Sequence, residues 1–309
     1  MEEYRYIMGI DGGGTKSNIC IQNRDTGGII SLTGAELNCN GNSRETIRSN
    51  LCDIMRQAFK HRIPVSLIDS IFLGTAGYSN PDTRLFLQDC FTSMGYSGKM
   101  VMTGDCQTAL CGALDKQWGA VIISGTGSVC YGRSSIGEYQ CGGGGYLLDD
   151  GGSGFEIGRM ILNYALRALD GRIPPNRLTE LLNTTYGISS RSQLIQAVYS
   201  DPAIKKKIAS YAPLLMDAFE HAPSLSREIV SHTVKELVEL SIPVINHLHL
   251  EKGDIALCGS IFKYYLPIQE EYCHSLSQRF PQLCIRMPSH DAAYGAMMIA
   301  KEMADITKY

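Results

Sequence analysis

A glycine-rich turn after an apolar stretch is the first feature of the sequence that could do chemistry. The segment Asp11-Gly12-Gly13-Gly14-Thr15-Lys16 has this form. Its glycines can bend sharply and direct backbone N–H groups toward an anion. The chain continues into a strand, which excludes the P-loop and Rossmann fingerprints because both need a helix N-terminus under the phosphates. We predict that Gly12, Gly13, Gly14, Thr15 and Lys16 bind phosphate; a plain hairpin turn is the alternative.

A second loop of the same kind, Gly125-Thr126-Gly127-Ser128, follows the apolar stretch 119–124. The Thr126 and Ser128 hydroxyls can donate to phosphate oxygens where larger side chains would block the approach. The strand–turn–strand unit therefore occurs twice, which indicates a weak internal repeat. We predict that Gly125, Thr126, Gly127 and Ser128 form a second phosphate loop, with two coincidental turns as the alternative.

Two aspartates are placed for phosphoryl chemistry. Asp11 ends a strand and could hold Mg²⁺ through water, because Mg²⁺ prefers few carboxylates together with substrate phosphates. Asp105 follows the predicted strand 99–103, and α/β sheets place catalytic residues beyond the carboxyl ends of their strands. We predict that Asp105 is the general base that takes the proton of an acceptor hydroxyl. An N-cap of the following helix is the alternative.

Two further glycine-containing segments precede predicted helices. The stretch 141–154 is unusually dense in glycine, which is costly in entropy and suggests backbone close to a ligand. Ser153 is the predicted N-cap of the next helix, and a mobile loop without a ligand is the alternative. Gly259 and Ser260 follow a strand and open a helix, which would suit the adenosine end of a nucleotide.

Hydrophobic periodicity predicts the elements that position these residues. The predicted elements of the first third of the chain have the order βββαβαβα, and the pattern begins again at residue 119. A long helical insertion is predicted at about 155–250, with prolines, Pro243 among them, as breaks. We predict a first domain at 1–114, with a closing helix 292–309 packed on it, and a second domain at 115–291.

Composition excludes several classes of protein. The chain has 309 residues, 44% of them apolar and 19% charged, a net charge of −3 and a pI near 6.2. A net charge of this sign gives no positive electrostatic field that would attract nucleic acid or an anionic membrane surface. No apolar run predicts a membrane span or a targeting signal. The basic run Lys205–Lys207 is expected on a solvated helix surface. Eleven cysteines without a CxxC pair argue against disulfides and zinc and favour the cytoplasm.

Several segments resemble the BadF/BadG/BcrA/BcrD ATPase family, and within it the N-acetylglucosamine kinase-like branch. The resemblance covers nearly the whole chain in order and spacing. The matching segments are GIDGGGTKS, LGTAG, GDCQTALCGA, VIISGTGSVCYG, CGGGGYLLDDGGSGFEIG, IALCGSIF and SHDAAYGAMMIA.

The resemblance implies a two-lobed α/β fold of the actin, hexokinase and Hsp70 (ribonuclease H-like) type, with ATP between the lobes. Each lobe would be βββαβαβα around a mixed five-stranded sheet. The resemblance also implies a homodimer. It implies that Gly259 and Ser260 bind the adenosine and that Asp105 is the general base. Its sugar contacts fall on Asn38, Gly77, Asp105, Thr126, Gly143, Gly144, Gly145 and Asp150.

The activity implied is transfer of the γ-phosphoryl group of ATP, with Mg²⁺, to a hydroxyl of an amino sugar resembling N-acetylglucosamine. Where the family usually has GGWG and GDEGS, this chain has Gly143-Gly144-Gly145 and Asp149-Asp150-Gly151-Gly152-Ser153. The missing tryptophan and glutamate would leave space for a larger sugar or one without the N-acetyl group.

Two alternatives remain open. One is an ATPase that activates a radical dehydratase through an iron–sulfur cluster shared between two subunits, with Cys130 and Cys141 as candidate thiols. The other is a sugar or nucleotide sensor that has lost catalysis.

Overall fold

The computed structural model describes residues 5–13, 16–39, 42–75, 78, 80–219 and 223–305. The chain divides into two compact units, Met1–Gly119 with Met287–Tyr309, and Ala120–Arg286. The predicted domain boundaries after residues 114 and 291 stay predictions. None of the described helices has the length and apolar character needed to cross a membrane.

Both units begin with three successive strands, after which helices and strands alternate. The strands are β1 (Tyr6–Gly12), β2 (Lys16–Asn23), β3 (Ile29–Ala35), β4 (Ile68–Thr75), β5 (Lys99–Thr103), β6 (Gly119–Ser124), β7 (Ser128–Ser134), β8 (Gly137–Gly142), β9 (Asp254–Cys258) and β10 (Cys284–Arg286). The helices are α1 (Arg44–Lys60), α2 (Pro81–Ser93), α3 (Asp105–Leu114), α4 (Gly154–Leu169), α5 (Arg177–Tyr186), α6 (Arg191–Tyr199), α7 (Ile204–Ala209), α8 (Leu214–Phe219), α9 (Pro223–His247), α10 (Ser260–Tyr264), α11 (Leu266–Arg279) and α12 (Ala292–Asp305).

The first unit is a five-stranded mixed sheet in the order β3-β2-β1-β4-β5. Side chains alternate between the two faces of each strand. Met8 and Ile10 of β1 join a buried cluster with residues of α1 and α2. Gly9 and Asp11 therefore lie on the opposite face of β1, where α12 packs on β1 and on α3.

Glycines bring α12 into direct backbone contact with its neighbours. A Cβ on Gly9 would overlap Met297 N, and one on Gly112 would overlap Asp291 O. A Cβ on Gly295 would overlap the backbone of α3 at Thr108 O and Gly112 N. Backbone atoms cannot move aside as flexible side chains can, so these contacts fix α12 against β1 and α3.

The second unit is a five-stranded mixed sheet in the order β10-β9-β6-β7-β8, with α4 to α9 inserted between β8 and β9. The predicted fold class, two mixed five-stranded sheets with helices and a helical insertion in the second unit, is confirmed; the helix that follows β10, α12, belongs to the first unit. The prediction that Pro243 breaks the helix is wrong, because α9 continues past it to His247. Burial of Val244, Ile245 and Leu248 offsets the lost backbone hydrogen bond.

Replacement of Gly295 by alanine should destabilise the protein. In a helix interior alanine is more favourable than glycine by about 1 kcal/mol. A loss of stability in Gly295→Ala would therefore come from the backbone contact alone. We expect the free energy of unfolding to fall by about 2 kcal/mol in urea titrations. Gly28→Ala is the control, because its Cβ would meet only the Thr26 hydroxyl at 3.3 Å. A Gly295→Ala protein as stable as the parent would contradict this packing.

Candidate active site

Asp11 ends β1 on the face covered by α12. Burial raises its pKa to about 6, and the negative charges of Asp105 and Asp291 add to the shift, while a hydrogen bond with the Asn18 side chain opposes it. Asn18 is the partner of Asp11 across the β1–β2 ladder. The first unit therefore gathers three carboxylates whose charges Lys16 offsets only in part.

Asp105 is the first residue of α3. The N-cap of this helix is Gly104, and it makes no side-chain capping bond, so the capping alternative for Asp105 is wrong. The Thr108 hydroxyl donates to the Asp105 carbonyl oxygen at 2.8 Å, which holds the first turn of the helix. Asp105 is half-buried and lies in the first turn of α3.

Asp291 was missed as a site residue from the sequence. It stands immediately before α12, and its Oδ1 accepts a hydrogen bond from Tyr294 N at 2.9 Å. Its backbone carbonyl lies against Gly112 of α3, so the α12–α3 contact sets its position. The available signal was an aspartate before a helix rich in alanine and glycine, a pattern that by itself indicates only a cap.

Two hydrogen bonds hold the beginning of the first glycine turn. Gly12 O accepts from the Thr75 hydroxyl at 3.1 Å, and Gly13 O accepts from Leu37 N at 3.3 Å. Lys16 is exposed at the start of β2, and Asn38 follows the anchored Leu37 in the same unit. The predicted residues Gly14, Thr15 and Gly77 lie outside the described residues.

The second glycine loop, in the second unit, is fixed by the segment 150–155. Ser128 N donates to Asp150 Oδ1 at 3.1 Å, and the Ser128 hydroxyl donates to Gly151 O at 2.6 Å. Gly154 N donates to Gly125 O at 2.7 Å at the start of α4. The prediction of Ser153 as the N-cap of this helix is confirmed, because its hydroxyl accepts from Glu156 N.

A largely apolar cavity of about 530 Å³ adjoins this loop. Its lining residues are Gly125, Thr126, Gly154, Ala209, Ala212, Pro213, Met216, Asp217, Ser260, Ile261, Tyr264 and Tyr265. Gly259, at the N-cap of α10, has a φ of 97° and lies where a Cβ would overlap the backbone of Ser124. Gly125, Thr126 and Ser260, the residue after Gly259, therefore line one cavity. Its other walls come from α4, α7, α8 and α10.

Gly143, Gly144 and Gly145 form the loop after β8. Gly143 N donates to Ser128 O at 3.0 Å, so this loop is tied directly to the second glycine loop. Asp150, with a φ of 69°, is buried, and both its carboxylate oxygens have protein partners. The arrangement brings Gly143–Gly145 and Asp150 beside Ser128, as a joint site would require.

The space expected at the missing glutamate is occupied. A Cβ on Gly151 would lie 3.1 Å from Cδ of Glu236 in α9, with the Glu236 carboxylate oxygen closer still. The expectation of freed space is therefore wrong at Gly151, because a carboxylate from α9 fills it. Sequence reasoning missed this residue since a single glutamate on a long helix carries no local signal.

Cys130 is fully buried, and burial raises the pKa of its thiol far above its usual value. It faces Cys141 across the β7–β8 ladder. A cluster shared between two subunits needs thiols that reach the surface, so the burial of Cys130 counts against the iron–sulfur alternative.

Replacement of Asp11 by asparagine should make the metal-free protein more stable at neutral pH. The pKa of about 6 in the folded state lies above the ordinary value of an aspartate, so the folded state binds the proton more tightly than the unfolded state. The contribution of Asp11 to the free energy of unfolding therefore falls as the pH rises from about 4 to about 6. In EDTA, urea titrations should show Asp11→Asn more stable than the parent by up to about 3 kcal/mol at pH 7.5.

The stability difference should disappear near pH 4, where the parent carboxyl is protonated. Exposed Asp89→Asn serves as the control and should show no such pH-dependent gain. An Asp11→Asn protein less stable than the parent at pH 7.5 would contradict the unfavourable environment inferred for the ionised carboxylate.

Two known proteins match this chain over nearly its whole length. An N-acetylmuramic acid/N-acetylglucosamine kinase of Clostridium acetobutylicum is 28% identical over 305 residues, covering 97% of this chain and 100% of the relative. An N-acetyl-D-glucosamine kinase of Dictyostelium discoideum is 26% identical, covering 95% of this chain and 97% of the relative.

Solved structures share the fold. A Chromobacterium violaceum protein assigned as an N-acetylglucosamine kinase superposes with a TM-score of 0.77 at 23% identity, over 96% of this chain and 99% of that one. Schistosoma mansoni hexokinase in complex with glucose superposes with a TM-score of 0.62 at 13% identity, over 97% and 86%. The sequence model of one family matches residues 8–300. The chain belongs to the BadF/BadG/BcrA/BcrD ATPase family.

Proposed function

We propose that this protein is an ATP-dependent kinase that phosphorylates a hydroxyl of an amino sugar. The observation that carries the proposal is the second glycine loop, Gly125–Ser128, which is fixed by hydrogen bonds at the edge of an apolar cavity. The relatives support the acceptor class, because their names cover N-acetylmuramic acid, N-acetylglucosamine and glucosamine.

The cavity of the second unit has the chemistry to hold a nucleoside. Met216, Pro213 and Tyr264 offer apolar surface to a flat base, and Asp217 and Ser260 offer polar atoms. A nucleoside there would direct its phosphates to Gly125 and Thr126 at the cavity's edge. Gly259 and Ser260 would then lie at the adenosine, and Gly125–Ser128 at the phosphates.

The carboxylates of the first unit suit the remaining steps. Asp105 takes the proton of the acceptor hydroxyl as that oxygen bonds to the γ-phosphorus and the bond to the β-phosphate oxygen breaks, releasing ADP. Asp11 would hold Mg²⁺ through water, and the bound ion would neutralise charge on the phosphates.

The contacts to the sugar complete the proposal. We assign them to Asn38, Gly77, Asp105, Thr126, Gly143, Gly144, Gly145 and Asp150. The proposal includes a cytoplasmic location, which the eleven free cysteines support. A homodimer stays a prediction from family resemblance.

Sugar-dependent release of ADP from Mg-ATP tests the kinase reaction. The acceptors are N-acetylglucosamine, N-acetylmuramic acid, glucosamine and glucose. At least one amino sugar should stimulate turnover, and Asp105→Asn should lower kcat by about 100-fold or more, because the acceptor proton loses its base. Asp89→Asn, an exposed carboxylate on α2, is the matched control and should keep full activity.

Release of ADP that no sugar stimulates would refute the kinase and favour an ATPase. Sugar or ATP binding without turnover in the parent would favour the sensor.

Removal of the Tyr264 ring should weaken nucleotide binding. Tyr264 is 63% exposed and lines the cavity, so Tyr264→Ala should raise KM for ATP by about tenfold, with kcat unchanged within about twofold. Tyr199, 76% exposed and outside the cavity lining, provides Tyr199→Ala as the control. Equal KM values for ATP in parent and Tyr264→Ala would show that the base binds elsewhere.

A further inference from the structure

Lys205 at the start of α7 reaches the second glycine loop. Its Nζ lies 2.6 Å from Oδ2 of Asp150 and forms an ion pair that is not aligned as a hydrogen bond. The side chain is 31% exposed and that of Asp150 is 3% exposed. The expectation of a solvated surface for the whole basic run is therefore wrong at Lys205.

Gly127 leaves the room that this ammonium group needs. A Cβ on Gly127 would lie 2.8 Å from Lys205 Nζ and 2.6 Å from Asp150 Oδ1. Any side chain at this point of the loop would displace the ion pair. The glycine thus brings a positive charge next to the loop backbone.

The loop offers unused donors at the same point. In the described part of the chain, the N–H groups of Thr126 and Gly127 have no hydrogen-bond acceptor, whereas Gly125 N and Ser128 N do. Two free N–H groups beside an ammonium are a suitable environment for an anion.

Asp150 alone would oppose such an anion. Its carboxylate is buried beside the loop, and a like charge would repel phosphate unless a cation compensates it. An ammonium carries three N–H donors, and within the described residues Lys205 has Asp150 as its one ionic partner. Its partial exposure leaves donors for a ligand.

We propose that the Lys205 ammonium, held in place by Asp150, binds the phosphate chain of the nucleotide beside Gly127. This inference rests on the proposed kinase function, because it takes the anion to be the phosphates of ATP. Asp150 then serves as a positioning residue for Lys205 as well as an acceptor for Ser128 N.

Calorimetric titration of ATP, ADP and adenosine tests the role of Lys205. Lys205→Met should weaken binding of ATP and ADP by about tenfold or more, the range for a hydrogen bond to a charged group, and change adenosine binding by less than about twofold. Lys206→Met removes the same charge from the next, exposed residue and should leave all three affinities unchanged.

The double variant Lys205→Met/Asp150→Asn separates phosphate binding from charge compensation. It leaves no unpaired buried carboxylate, and the asparagine oxygen can still accept from Ser128 N. ATP binding should stay weak in this variant. Recovery to the parent affinity would overturn the proposal, because Lys205 would then only neutralise Asp150.

Two further outcomes would also overturn it. An equal loss of adenosine affinity in Lys205→Met would mean that the lysine supports the cavity and does not bind phosphate. Unchanged ATP affinity in Lys205→Met would refute the inference and leave the kinase intact, whereas a parent that binds no ATP would refute the proposed function itself.

Discussion

Direct backbone contact between α12 and its neighbours is the constraint on which the candidate chemistry of the first unit depends. Gly9, Gly112 and Gly295 allow this approach, and each is close in sequence to a carboxylate or to the element that carries one. Asp11 ends β1, Asp105 begins α3 and Asp291 precedes α12. Three segments distant in sequence therefore hold their acidic groups in a fixed arrangement.

Asp11 in the first unit and Asp150 in the second differ in how their charges are compensated. Asp11 is half-buried near like charges, and its raised pKa indicates an incomplete compensation that a cation could complete. Asp150 is compensated within the protein by Lys205 and by the N–H of Ser128. One carboxylate is thus suited to an ion that comes with the nucleotide, while the other organises the loop.

Periodicity and turn chemistry were sufficient to predict the order of elements. The buried strands β1, β4 and β6 read as apolar runs, and the prediction of Lys99–Thr103 as a strand matches its observed bounds. β8 was not assigned individually because most of its residues are exposed and give no apolar alternation. The helix continues past Pro243 because core packing outweighs one lost hydrogen bond, and a sequence pattern does not show that packing.

The candidate site was less predictable, because its members meet only through the tertiary structure. The loops at Gly12 and Gly125 were visible as local patterns. The cavity walls include residues of α7 and α8 and of α10, which is distant from them along the chain. Lys205 looked like one charge in a surface run, since nothing local indicates that it reaches Asp150.

The division of the first unit between the two ends of the chain has a consequence for synthesis on the ribosome. The second unit is one continuous segment, 120–286, and can fold once that segment has emerged. The first unit lacks α12 until residues 292–305 are translated, after the whole second unit, so β1 and α3 have no backbone partner on one face until then. The first unit is therefore begun before the second unit and completed after it, and chains that stop short of α12 would expose this face to chaperones and proteases.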